Sequence, residues 1–418
     1  MFVRLGSILL TGMLFSFQPN ALVAQSTETT ATWNFTEARQ FDFWIGAWDV
    51  NLRMIQPDNS WKDSVKSKVE IYPILDGKAI LELWDSSSIK GFSLRYYDTQ
   101  KKKWVLYLNW PSNSRSSSVG SLEGNFRHGR GEFFSRNGNR ISRYTFCDIT
   151  PNSLRWDDAF SIDGGKTWTN NWIMEFSRTA PIPIWPRGDS AHTWSGGGRC
   201  TGEPFDRIGS LVGQWQGEFS SVGKAKVPAE LRFYRILGGC TVIRFLEVPI
   251  GDGDKKFRQF ELLTWNAAKQ KLQSLQLDNQ IDKPADLLNG NIDGNSLKFL
   301  ANTDVNGKKL SRRHHWIFND DGSLQIESAL KSGDNDWKTT LSGRFVKKEQ
   351  TEPEGDQAIN QTCPRSGKPV SADSLTTYRG HTVGFCNTHC RDDFAANILD
   401  RPKDRSFFDK IIDKKEKN

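Results

Sequence analysis

Apolar and polar residues alternate with a period of two along most of this chain. Trp48, Val50, Leu52 and Met54 interleave with Asp49, Asn51 and Arg53, and Val65, Val69 and Ile71 interleave with Lys66, Lys68 and Glu70. Successive side chains of a strand point to opposite faces, so these runs are strands with one dry side. The same reading predicts strands over 78–85, 90–98, 103–110, 116–123, 130–136, 140–148, 153–161 and 168–177. Asp76-Gly77, Asn137-Gly138 and Asp163-Gly164-Gly165 supply turns between them, since Gly after Asx accepts the positive φ of a tight hairpin. After an opening turn around 36–43, no long stretch carries helical periodicity. Many short antiparallel strands at regular spacing predict a sandwich or a closed barrel, and closure removes exposed edges.

The pattern is used twice. Phe41-Asp42-Phe43-Trp44-Ile45-Gly46-Ala47-Trp48 returns as Phe205-Asp206-Arg207-Ile208-Gly209-Ser210-Leu211-Val212-Gly213-Gln214-Trp215, which maps Trp48 onto Trp215, 167 positions on. Ile74-Leu75-Asp76-Gly77 maps onto Ile236-Leu237-Gly238-Gly239, Tyr97-Asp98 onto Trp265-Asn266, and Trp168 onto Trp337. Units of this length are domains rather than solenoid repeats. The second carries turn signals at Asn289-Gly290, Asp293-Gly294, Asn306-Gly307 and Asp321-Gly322. Pro181, Pro183, Pro186 and Gly196-Gly197-Gly198 mark 179–204 as a linker, and the polar stretch 349–362 reads as another. The glycine run follows no strand and lacks the Lys-Ser/Thr ending of a phosphate loop. The expected domains are therefore 35–178, 205–348 and a small unit over 363–418.

Composition narrows the function. Of 418 residues 37% are hydrophobic and 25% charged, the balance of a soluble chain. Sixteen Trp and 26 Phe suit barrels with large interiors. The net charge of +7 is scattered in short groups without a basic face, so no nucleic-acid partner is expected. Met1-Phe2-Val3-Arg4, an apolar run from Ile8 to Phe17, and Ala21-Leu22-Val23-Ala24 have the layout of a signal peptide over 1–24, cleaved after Ala24. The run is too short to span a membrane. The expected protein is exported, periplasmic or secreted.

Cys147, Cys200 and Cys240 lie singly, whereas Cys363, Cys386 and Cys390 fall close together near the end. The first three are either buried thiols or contain one disulfide, with Cys200 the first candidate to find a partner. Cys386 and Cys390 are one helical turn apart, so their sulfurs can converge on one ion. Three thiolates make a soft site suited to Cu(I) or Zn. His389 is the first candidate for a fourth ligand and His381 the second, giving a tetrahedral Cys3His set. On a regular helix His389 would face about 100° away from Cys390, so it can coordinate only if the helix starts at or after it. A disulfide, for example of Cys363 with Cys386 or Cys390, is the competing reading.

Two resemblances add to this. The FDFW-x-G-x-W opening, the ILDG turn, the Tyr96-Tyr97-Asp98 strand end and the Asp163-Gly164-Gly165-Lys166-Thr167-Trp168 hairpin resemble a lipocalin-like family of unknown function found in exported bacterial proteins. That resemblance implies a mainly β protein, two lipocalin-like antiparallel β-barrels in tandem with roughly eight to ten strands each, and no activity. Cys363-Pro364-Arg365-Ser366-Gly367-Lys368-Pro369-Val370 with Phe385-Cys386 and Cys390 resembles the YHS/TRASH group of small heavy-metal-binding modules. It implies a small α+β metal-binding module. Asn387 and Ser366 stand where relatives carry further cysteines.

Trp44, Trp48, Trp84, Trp104 and Trp215 either line a cavity for a small apolar ligand or pack the barrels. His314 and His315 are adjacent on a strand, so one must point inward; a haem-binding variant of the barrel would need such a histidine, yet no haem is expected. No nucleophile elbow, His-Glu-x-x-His or phosphate loop is present in the sequence, and no catalytic residue is assigned. The leading expectation is an exported metal-binding protein. A carrier of a small apolar ligand and a hydrolase or isomerase within one barrel are the alternatives.

Overall fold

The computed structural model describes residues 36–85, 90–110, 118–180, 200–221, 225–250, 255–280, 282–305, 308–333, 335–348, 358–378, 381–396 and 401–415. The expected signal peptide and most of both expected linkers lie outside them.

Two closed antiparallel barrels of ten strands each follow one another, every strand pairing with its sequence neighbours and the last with the first. The first barrel comprises β1 (Gly46–Ile55), β2 (Trp61–Ile74), β3 (Ala79–Asp85), β4 (Lys90–Asp98), β5 (Lys103–Asn109), β6 (Val119–Arg127), β7 (Arg130–Asn137), β8 (Arg140–Cys147), β9 (Ser153–Ser161) and β10 (Thr169–Ala180). The second comprises β11 (Gly213–Ser220), β12 (Val227–Ile236), β13 (Thr241–Pro249), β14 (Lys256–Asn266), β15 (Lys271–Asp278), β16 (Asp286–Asp293), β17 (Ser296–Val305), β18 (Lys308–Phe318), β19 (Leu324–Ser332) and β20 (Lys338–Lys347). The strands expected in the first repeat are all present, and the alternation of β1 puts Trp48, Val50 and Leu52 in the interior.

One turn signal misleads. Asn289-Gly290 lies inside β16 rather than at a turn. A Cβ on Gly290 would meet the Phe299 ring at 2.5 Å, so this glycine admits an aromatic ring instead of bending the chain. Asp293-Gly294 and Asp321-Gly322 do turn, with glycine φ of +54° and +78°; Asn306-Gly307 lies outside the described residues.

Each barrel is plugged at one end by the Phe-Asp segment. In the first, short 3-10 turns at Thr36–Arg39 and Asp42–Trp44 drive Phe41 among Trp104, Phe126 and Phe146, with ring centroids 4.8–5.2 Å away. In the second, α1 (Phe205–Gly209) buries Ile208 with Leu211. Trp48 Nε1 donates to Trp44 O at 2.8 Å and Trp215 Nε1 to Leu211 O at 2.7 Å, so the two tryptophans occupy equivalent places. A cation covers each: Arg178 lies 4.0 Å over the Trp48 ring, and Lys347 Nζ lies 5.5 Å from the Trp215 centroid. Arg178 also donates to Ile45 O (2.6 Å) and Phe43 O, and Lys347 to Ser210 O at 3.3 Å. Each cation thereby ties the last strand of its barrel to the plug.

The barrels share a core. β4 is buried from Gly91 to Asp98 and β15 from Leu272 to Asp278, because their outer faces meet instead of meeting water. Tyr72, Leu81, Phe92 and Leu94 form one apolar cluster with Tyr234, Ile243, Phe260 and Leu275, and Phe92 stacks on Phe260 at 5.9 Å and 7°. Lys78, 2% exposed, donates to Lys283 O (2.8 Å) and Gln280 O. Asp76 accepts from Arg258 and from Asn279 Nδ2 (2.7 Å). The equivalent turns Leu75–Gly77 and Leu237–Gly239 hold three successive positive-φ residues each, including a leucine, a conformation costly for a side chain with a Cβ.

The C-terminal unit comprises β21 (Leu375–Tyr378), β22 (His381–Gly384), α2 (Thr388–Ala396) and α3 (Pro402–Lys415). Tyr378, Val383, Phe385, Phe394, Phe408 and Ile412 form its core together with Cys363. Arg405 reaches Glu70 of the first barrel at 3.7 Å.

Candidate metal centre

Cys363, Cys386 and Cys390 come from three local structures. Cys363 sits in a tight turn: Gly367 N donates to Cys363 O (2.9 Å), Cys363 N donates to Lys368 O (2.8 Å), and Gly367 takes φ +68°. Cys386 follows β22 directly, after Phe385 has anchored the strand end in the core. Cys390 lies in the first turn of α2, where its N–H donates to Asn387 Oδ1 at 2.8 Å, a side-chain N-cap. The three sulfurs lie within 4.8 Å of one another, and Cys363 is buried while the other two are half-buried.

Neighbouring donors favour negative sulfur. Ser366 Oγ donates to Cys386 Sγ at 3.1 Å, and Asn387 Nδ2 lies 3.5 Å from the same atom. Burial pushes the Cys363 thiol up, but the backbone N–H groups of Arg365, Cys386 and Ser366 and the Ser366 hydroxyl outweigh it and bring it down to about 7. Burial and the adjacent Cys386 and Cys363 sulfurs raise Cys390, since like charges disfavour a second thiolate. A cation removes that conflict, because all three ligands must be deprotonated to bind it. The Arg365 guanidinium bonds to Asp404 Oδ2 (2.7 Å) and Asp393 Oδ2 (2.6 Å), which draws its charge toward carboxylates. The donor set fits a soft or borderline cation.

The histidines lie elsewhere. α2 begins at Thr388, before His389, and His389 is exposed; among the described residues no histidine nitrogen belongs to the sulfur cluster. His381 pairs with Tyr378 on the β21–β22 hairpin. Ser366 and Asn387 have work of their own: Ser366 donates to a sulfur and Asn387 caps the helix that carries another. Cap chemistry was the signal for Asn387, which precedes Thr388 at the start of a helix.

Of the other cysteines, Cys200 and Cys240 form a disulfide, packed with Phe205, and Cys147 is a free thiol. Among the tryptophans named as ligand candidates, Trp44, Trp48, Trp104 and Trp215 belong to the packed interiors. Trp104 Nε1 donates to Glu37 O at 3.0 Å. Trp84 is equally buried, and among the described residues neither its Nε1 nor that of Trp44 has a hydrogen-bond partner. His314 is the inward member of its pair, beside Trp316 on the interior face; its Nδ1 is 2.9 Å from Ser328 Oγ. The sequence reading missed the ion pairs within the barrels, Glu82 with Arg95 (3.3 Å) and Arg244 with Glu261 (2.7 Å). Their signal was a charged residue at an inward position of an otherwise apolar alternation.

No family model matches the chain, and no curated protein matches it. Solved structures do. The chain is similar to Rv2717c from M. tuberculosis, at 12% identity over 36% of this chain and 99% of that one, with a TM-score of 0.25. It is similar to the S-type phycobiliprotein lyase CPES from Guillardia theta, at 10% identity over 34% and 92%, TM-score 0.25. A redesigned β-barrel matches at 10% identity over 34% and 95%, TM-score 0.21. Strand order and the sulfur cluster define the class: a tandem-barrel protein with a C-terminal three-cysteine centre. Among the described residues no helix is long and apolar enough to cross a membrane.

Proposed function

We propose that this chain is an exported metal-binding protein that holds one soft or borderline cation, Cu(I) or Zn2+, on Cys363, Cys386 and Cys390. The observation that carries the reading is the convergence of three sulfurs within 4.8 Å from a turn, a strand end and a helix start. Thiolates are the preferred ligands of these ions, and a YHS/TRASH-like module is the expectation that the residues around Cys363 support. Export is supported by the N-terminal pattern of Met1–Ala24 and by the Cys200–Cys240 disulfide, which suits an oxidising compartment. The barrels act as the scaffold to which Arg405 docks the module.

The test is titration of the reduced, full-length mature protein with Zn2+ and with Cu(I) against a competing chelator, beside Cys363→Ser, Cys386→Ser and Cys390→Ser. One equivalent bound by the parent and at least a tenfold loss in each variant supports a shared site. Equal binding by parent and variants refutes it.

A further inference from the structure

The interior of the first barrel changes character along its axis. Around the plug it is apolar and packed. Toward the opposite end, Tyr144, Asp158 and Trp172 are direct register partners across β8, β9 and β10, on the inward face that Phe146, Trp156 and Met174 also occupy. Five rings form a continuous arc: Tyr144–Trp156 at 4.6 Å, Trp156–Trp172 at 5.7 Å, Trp172–Trp110 at 6.2 Å and Trp110–Trp84 at 6.3 Å. Interplanar angles of 67°, 70°, 63° and 58° turn successive rings like the walls of a box. Trp84 and Trp156 are buried, whereas Tyr144, Trp110 and Trp172 are half-buried while packing on the interior cluster. These three rings therefore keep part of their surface exposed.

Asp158 stands within this arc. Its carboxylate accepts one hydrogen bond, from Asn171 Nδ2 at 2.8 Å, and the irregular register of β10 between Asn170 and Trp172 brings that amide to it. It forms no ion pair among the described residues. The other two charges deeper in the barrel are already matched, since Glu82 Oε2 accepts from Ser93 Oγ (2.6 Å) and Arg95 Nη2 (3.3 Å). Arg95 also lies 3.6 Å over the Trp44 ring, at the plug end. Toward the mouth, Asp158 is walled by aromatic rings, and the exposed Arg140, 5.0 Å over the Phe160 ring, attracts the carboxylate without an ion pair among the described residues.

We propose that this aromatic arc with Asp158 binds a small organic ammonium ion. Ring faces carry negative electrostatic potential and attract cations, most strongly where water is excluded. A purely apolar ligand would strand the carboxylate without compensation. An anion would be repelled by it, and a bare metal ion would find one carboxylate among hydrocarbon walls instead of several oxygens. The site lies in a different domain from the sulfur cluster, so either can fail without the other.

Isothermal titration of the full-length mature protein with tetramethylammonium and choline tests this, beside 3,3-dimethylbutan-1-ol as the neutral analogue of choline and benzoate as an anion. The expected result is saturable binding of both ammonium ions, at least tenfold weaker binding of the neutral analogue, and no binding of benzoate. Asp158→Asn and Trp110→Leu should each lower ammonium affinity at least tenfold, while Cys386→Ser leaves it unchanged. Equal affinity for choline and its neutral analogue would reduce the site to an apolar cavity and overturn the proposal. So would preference for benzoate, no saturable ammonium binding, or an unchanged folded Asp158→Asn. The wild-type ligand comparison decides the matter even if a variant does not fold.

Discussion

Arg244 and Glu261 face each other at 2.7 Å with side chains 4% and 0% exposed, and Ser274 Oγ donates to the same carboxylate at 2.6 Å. A buried pair adds little net stability against apolar residues of the same size, but removing one partner leaves an uncompensated charge. Glu261→Gln should therefore cost about 3–5 kcal/mol, read as a lower urea midpoint, whereas an apolar replacement of both residues should recover much of it. His314 adds a pH dependence. Burial, and then the Arg312, Arg244 and Lys283 charges, push its imidazole down to about 3, whereas an unfolded histidine titrates near 6.5. Below that value the unfolded chain binds the extra proton, so this residue removes stability as pH falls from about 6.5 toward 3, by at most about 1.4 kcal/mol per pH unit. Histidine NMR of the folded protein should show one imidazole that stays neutral at pH 5, and a His314→Gln variant should lose that part of the acid sensitivity. Neither residue's burial could be read from its type. The adjacency of His314 and His315 did say that one points inward, but choosing between them required the register of β18.

At the scale of elements, the strands were legible because alternation and turn chemistry are local. Asn289-Gly290 misled for the opposite reason, since the Phe299 ring that needs the missing Cβ belongs to a neighbouring strand. β4 and β15 are buried on both faces, and no local pattern says which surface covers the outer one. In the C-terminal unit the cysteine spacing is readable from sequence, and the cap at Asn387 shows in the fold. Asn387 holds the first turn of α2 and with it Cys390, so Asn387→Ala should destabilise the unit by about 0.5–2 kcal/mol. It should also weaken metal binding, as checked by chelator competition. Because Cys363 titrates near 7 and Cys390 above its ordinary range, apparent affinity should fall steeply below pH 7. It should keep rising at alkaline pH as the Cys390 proton becomes easier to displace.

For the whole molecule, the duplication was visible as matched landmarks, but the packing of the copies was not. Phe92, Phe260 and their neighbours join the barrels through strands whose pairing partners lie in separate domains, so the shared core is a tertiary fact. Phe260→Ala should cost about 3–5 kcal/mol and turn a single cooperative unfolding transition into two, observable by calorimetry. The third unit carries the three-cysteine cluster, and Arg405 ties it to Glu70, where burial outweighs the Tyr72 and Arg405 contacts and raises the carboxyl.

X-ray absorption at the metal edge of the reduced full-length protein, loaded with one equivalent of Zn2+ or Cu(I), shows whether the three sulfurs hold the cation. The expected coordination sphere contains three sulfurs, at about 2.3 Å for zinc, and no histidine nitrogen. A shell of nitrogen and oxygen alone, or one that is unchanged in Cys386→Ser, would contradict it.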